Sequence, residues 1–73
     1  MAKKEIKSEI TGSVWKVLKH AGDVVGDEDA LMILESMKME IPVLAEASGT
    51  VKEVRVKEND AISEGQVLAI LEV

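Results

Sequence analysis

The residues best suited to chemistry in this 73-residue chain form one segment, Glu35-Ser36-Met37-Lys38-Met39-Glu40. It offers a single amine, Lys38, bracketed by two methionines and then by polar and carboxylate side chains. A lysine amine attacks an acyl group only when neutral. Its ordinary pKa of about 10.4 means that an enzyme acylating it must help remove the proton. Nothing else in the chain assembles a catalytic set. His20 is the only His, there is no Cys, and no Ser or second His stands beside it, so it reads as an exposed turn residue. Asp27, Glu28 and Asp29 satisfy no complete metal-loop pattern and read as a turn-forming, solubilising cluster, so no metal site is expected. Trp15, the sole aromatic, reads as a partly buried packing residue.

Composition narrows the class. Fourteen acidic against nine basic residues give a net charge of −5, and with one aromatic this argues against nucleic-acid binding. The longest apolar run, Ala30 to Leu34, is far short of a membrane span, and Met1 to Glu5 lead into no signal-like apolar stretch. The lack of Cys removes disulfides and thiolate metal sites as staples and fits a cytoplasmic protein. A chain this short holds one domain, residues 1–73, too small for its own deep active site. It is expected to be a monomer in isolation and to work through partners.

The elements that must position Lys38 are strands. Met32-Ile33-Leu34 precedes the segment and Ile41-Pro42-Val43-Leu44 follows it, so a tight hairpin with Met37 and Lys38 as central residues joins them most simply. That hairpin sets Ser36 opposite Met39 and Glu35 opposite Glu40, a like-charge pairing that stability alone would not select. Two-residue loops favour type I′ or II′ turns built on Gly, Asn or Asp; Met-Lys supplies none of these, so strain or an atypical turn is expected. Methionines usually fill gaps in cores, but a hairpin tip has little core to fill, which makes Met37 and Met39 an exposed apolar collar for a partner to grip.

The chain also contains an internal repeat. Shifted by 37, Gly12–Ser36 aligns with Gly49–Val73 without a gap and with eight identities: Gly12/Gly49, Val14/Val51, Val17/Val54, Asp23/Asp60, Leu31/Leu68, Ile33/Ile70, Leu34/Leu71 and Glu35/Glu72. Repeats of this kind mark structural units that bury each other's apolar faces. No window shows sustained helical spacing. The expected fold is therefore all-β, a flattened barrel or sandwich of two four-stranded antiparallel sheets related by a pseudo-twofold axis. The matched Asp23 and Asp60 should hydrogen-bond the backbone of their own turns, and Gly12, Gly22, Gly49 and Gly65 should serve turns or bulges. Because 38 − 37 = 1, the Lys38 loop should have its symmetry partner where Met1 and the other terminus meet.

At Glu35-Ser36-Met37-Lys38-Met39 the sequence resembles the biotinyl domains, the biotin carboxyl carrier domains of biotin-dependent carboxylases, whose pattern is Glu-Ala/Ser-Met-Lys-Met. The resemblance extends over Gly22-Asp23 and Ser48-Gly49-Thr50-Val51 and covers the chain from about Ile10 to Val73. It implies the barrel-sandwich fold, biotin amide-linked to Lys38, and a recognition hairpin of Glu35, Ser36, Met37, Met39 and Glu40. It also implies the partners: a biotin protein ligase, a biotin carboxylase and a carboxyltransferase, with no catalytic residue in the carrier itself. Two other readings stand beside it. A lipoyl-bearing carrier of a 2-oxo acid dehydrogenase or glycine-cleavage type system shares the fold, but such domains typically show Asp-Lys-Ala at the tip; Glu35 and Gly22 are compatible with lipoate attachment. An unmodified structural adaptor would need long helical flanks that this sequence lacks.

Overall fold

The computed structural model describes residues 2–73, so the expectation for Met1 lies outside the described residues. Eight strands follow one another: β1 (Lys3–Lys7), β2 (Gly12–Val17), β3 (Val24–Val25), β4 (Ala30–Ser36), β5 (Met39–Leu44), β6 (Gly49–Val54), β7 (Ala61–Ile62) and β8 (Val67–Glu72). They form two antiparallel four-stranded sheets, ordered β1-β8-β6-β3 and β5-β4-β2-β7. No described residue is helical, and no helix long and apolar enough to cross a membrane exists among them. The all-β, two-sheet expectation holds.

The 37-residue shift maps the first sheet order onto the second strand by strand, β1 onto β5, β8 onto β4, β6 onto β2 and β3 onto β7. The core obeys the same rule. Val14/Val51, Val25/Ile62, Leu31/Leu68, Met32/Ala69 and Leu34/Leu71 are buried in both members of each pair. Inward apolar side chains from two sheets make one core that neither half could form alone.

The turns exchange between halves. The Asp23 carboxylate accepts from His20 N–H at 2.8 Å, and Asp60 does the same for Lys57 N–H at 2.8 Å. Each turn then reaches into the other half. Gly22 N–H donates to the Val51 carbonyl and Val51 N–H to that of Asp23, while Asn59 N–H donates to Val14 and Val14 N–H to Asp60. Gly22 and its counterpart Asn59 both carry positive φ, 98° and 76°, the region these two residue types tolerate best. The matched aspartates thus hold their own turns as expected, and those turns lock the halves together. His20 is exposed in its turn, and Asp29 accepts from Gly26 N–H at 2.8 Å, which gives the acidic cluster its turn-forming role.

Two expectations are corrected. Trp15 is exposed: it follows the buried Val14 and so turns outward, and a bulge, in which pairing steps from Val14↔Leu34 to Lys16↔Ile33, leaves it without a partner. Lys52 occupies the same bulge in the other half. Gly12 and Gly49 serve neither turn nor bulge. A Cβ on Gly12 would strike the Glu35 carbonyl, and one on Gly49 the Glu72 carbonyl, so each glycine permits a close backbone crossing.

These crossings fix the long axis. β1 leaves the Ala2–Val73 pair, where the two backbones exchange hydrogen bonds of 2.8 and 3.2 Å, and runs to Lys7. A short connection then brings Gly12 against Glu35, at the base of the β4–β5 hairpin. The termini and the hairpin therefore occupy opposite ends of a body 36 × 18 × 17 Å in extent.

Candidate functional site: the β4–β5 hairpin tip

The hairpin has the register expected of it. Glu35 pairs with Glu40 and Ser36 with Met39, leaving Met37 and Lys38 as a two-residue loop. Met37 has φ 52° and Lys38 φ 64°, so both central residues sit in the left-handed region, the signature of a type I′ turn. Its handedness suits the strand twist, but a side chain there costs about 1 kcal/mol or more per residue. The chain thus carries strain at the residue pair that presents its amine.

Exposure separates the methionines. Met37 is 91% exposed and Met39 62%, whereas Met32, four residues before the turn's second strand pair, is fully buried in the core. Met32 fills space; Met37 and Met39 flank Lys38 as an apolar collar in solvent. Lys38, Glu35 and Glu40 are all exposed, and among the described residues Lys38 enters neither of the ion pairs, which join Glu5 to Lys7 and Glu53 to Arg55.

Below the tip the hairpin is fastened. Ser36 turns back, its Oγ donating to the Thr11 carbonyl at 3.2 Å, while Thr11 Oγ1 accepts from Glu64 N–H at 3.2 Å. With Gly12 against Glu35, these contacts tie the base of the hairpin to the β1–β2 connection and the turn before β8. Thr11 and Gly12 therefore support the site although sequence reasoning did not place them there; the Gly12/Gly49 match was the available signal. The arrangement presents one exposed amine on a fastened hairpin, and such an amine can take a covalent group.

The profile of the family described as "Biotin-requiring enzyme" matches residues 4–71. The chain belongs to the biotin/lipoyl attachment family. Relatives agree in size as well as sequence. The "Biotin/lipoyl attachment protein" of Bacillus subtilis (strain 168) is 49% identical over 63 residues, covering 86% of either chain. A "Biotinylated protein TB7.3 homolog" of Mycobacterium leprae (strain TN) is 45% identical over 67 residues, 92% of this chain and 94% of its own. Among solved structures, the Kluyveromyces lactis urea carboxylase superposes on 99% of this chain with a TM-score of 0.92 and 33% identity. The match takes up 6% of that much longer polypeptide. A biotin/lipoyl attachment domain is a carrier, and both the two-sheet fold and the exposed-amine hairpin are what a carrier needs.

Proposed function

We propose that Lys38 is the attachment residue, that its group is biotin, and that the domain carries carboxyl groups between a biotin carboxylase and a carboxyltransferase. The observation that carries this reading is the type I′ tip: it exposes Lys38 at the end of the β4–β5 hairpin, in the sequence Glu35-Ser36-Met37-Lys38-Met39, with its amine in neither ion pair found among the described residues. The residues fit such a group, since an amine exposed between two exposed thioethers leaves room for an enzyme to close around it.

In loading, the neutral Lys38 Nζ attacks the carbonyl carbon of an acyl group activated by a biotin protein ligase. A C–N bond forms, the bond to the activating group breaks with its electron pair, and the Nζ proton passes to a base on the ligase. When bound, biotin supplies a ring that accepts and releases a carboxyl group. The chain's contribution is positional: a fastened hairpin keeps the anchor fixed, and the tether raises the local concentration of the group at each partner site. Two active sites on different proteins explain why the carrier needs no catalytic residue of its own.

Co-expression with a biotin protein ligase followed by intact-mass measurement tests the reading. A mass gain of one biotinoyl group that disappears in Lys38→Arg is expected; a gain that persists in Lys38→Arg refutes the assignment. The shared biotin/lipoyl description of the Bacillus subtilis relative keeps lipoate as the second reading. Met37 and Met39 at the tip favour biotin, so a lipoyl ligase acting on the pure domain should leave its mass unchanged.

A further inference from the structure

The internal symmetry supplies a control for reading the surface, because each outward position on one sheet has an equivalent 37 residues away on the other. Ile70 lies at the centre of the outer face of the β1-β8-β6-β3 sheet, paired to Glu5 and Glu53. The exposed residues around it are charged: Lys52 beside Lys3, Arg55 hydrogen-bonded to Glu53, and Lys7 4.0 Å from Glu5. Ile33 is its counterpart on the β5-β4-β2-β7 sheet, paired to Lys16 and Pro42. Around Ile33 one cation remains, Lys16, whose Nζ lies 5.2 Å from the centroid of the Trp15 ring. Trp15 stands where the other face has Lys52, Pro42 where it has Glu5, Leu18 where it has Arg55, and Leu44 where it has Lys7. Trp15, Leu18 and Leu44 are 40%, 44% and 42% exposed. Of the exposed large apolar side chains outside the tip, Val24 on the edge strand β3 and Val73 after β8 belong to the other sheet, and the remaining three gather here; such a cluster marks a contact surface rather than a folding requirement.

The face is continuous with the tip. The next outward row toward Lys38 is Ser13, Glu35 and Glu40, so the apolar field ends in two adjacent carboxylates. Ile33 precedes Lys38 by five residues, about 15 Å at the rise of a strand. A standard interface of about 800 Å² per partner spans a disc of about 16 Å radius, enough to reach from the tip to this row. An enzyme acylating bare Lys38 must come within the length of one side chain of the hairpin backbone, whereas enzymes acting on an attached group can stand further off.

We propose that the outer face of the β5-β4-β2 strands, centred on Trp15, Ile33 and Pro42, is the docking surface for the ligase that modifies Lys38. Its footprint is an apolar patch edged by arginine or lysine that meets Glu35 and Glu40. The net charge of −5 favours a cationic partner edge of this kind. The proposal rests on the biotin reading.

Steady-state biotinylation of the full chain by a biotin protein ligase tests it. Trp15→Glu should raise KM at least tenfold with kcat within twofold of wild type, and Trp15→Leu should restore most of the loss. Lys52→Glu, at the symmetry-equivalent bulge, should leave both constants within twofold. Thermal melts establish that all three variants fold. A Trp15→Glu KM within twofold of wild type overturns the docking surface while leaving Lys38 as the attachment site. A wild-type domain that takes up no biotin overturns the functional reading itself. Sedimentation showing a wild-type dimer that Trp15→Glu dissociates would assign the face to a second copy and overturn the ligase as its occupant.

Discussion

The two ends of this molecule are the same structure put to different use. At one end β4 turns into β5 through Met37 and Lys38; at the other, β8 and β1 meet as the two chain ends, Val73 paired with Ala2 as Ser36 is with Met39. Both ends sit on a glycine crossing, Gly12 beneath the hairpin and Gly49 beneath the termini. Only the first is closed by a turn, and that turn is built from residues poorly suited to it. Shared features serve folding; at one end alone a Met-Lys pair exposes an amine.

That comparison can be broken most forcefully at the glycines. Gly12→Ala and Gly49→Ala each drive a Cβ into a backbone carbonyl, which a flexible side chain cannot relieve, and each should destabilise by about 2–3 kcal/mol in urea melts. Gly12→Ala should also slow modification at Lys38, while Gly49→Ala should not. Equal slowing by both would mean that the ends are not independent. Relieving the turn tests its strain: Met37→Asn with Lys38→Gly should stabilise by about 1–2 kcal/mol and abolish attachment. A loss of stability there would show that the Met-Lys tip is not strained. Asp23→Ala and Asp60→Ala should each cost about 1 kcal/mol, alike in the two halves, because each carboxylate holds an equivalent backbone N–H. The smallest effect lies on the charged face. Hydrogen bonding to Lys52 and its like charge hold the Lys3 amine below its usual range. Protonated Lys3 is therefore disfavoured in the fold, and Lys52→Glu should raise Tm slightly near neutral pH. The gain should shrink as pH climbs through the Lys3 titration, where the neutral amine no longer repels Lys52.

Much of this architecture is legible in the chain because it is local or repeated. The hairpin register follows from the lengths of the flanking apolar runs, and the pairing of core residues follows from the 37-residue shift. Glu35 and Glu40 fall opposite each other for the same reason. What escapes is what depends on contacts between distant segments. Whether Gly12 serves a turn or a crossing is decided by the Glu35 carbonyl more than twenty residues away. Lys16 faces outward and Val17 packs on the core because one extra residue in β2 reverses the alternation that a regular strand would impose after Trp15. Ser36 turns back to donate to the Thr11 carbonyl, and no sequence cue links the two. The difference between the outer faces becomes visible only once the symmetry has shown which residues are equivalent.

The placement of the chain ends opposite Lys38 has a mechanical consequence. If the domain is held by either end, its 36 Å body becomes a rigid crank between the pivot and the Lys38 tip. The distance Lys38 can sweep then grows by the full length of the scaffold, with no flexible residues added near the tip. Rotation about the held end moves the amine through a wide arc, while a stiff β core keeps the tip from folding back against its own support.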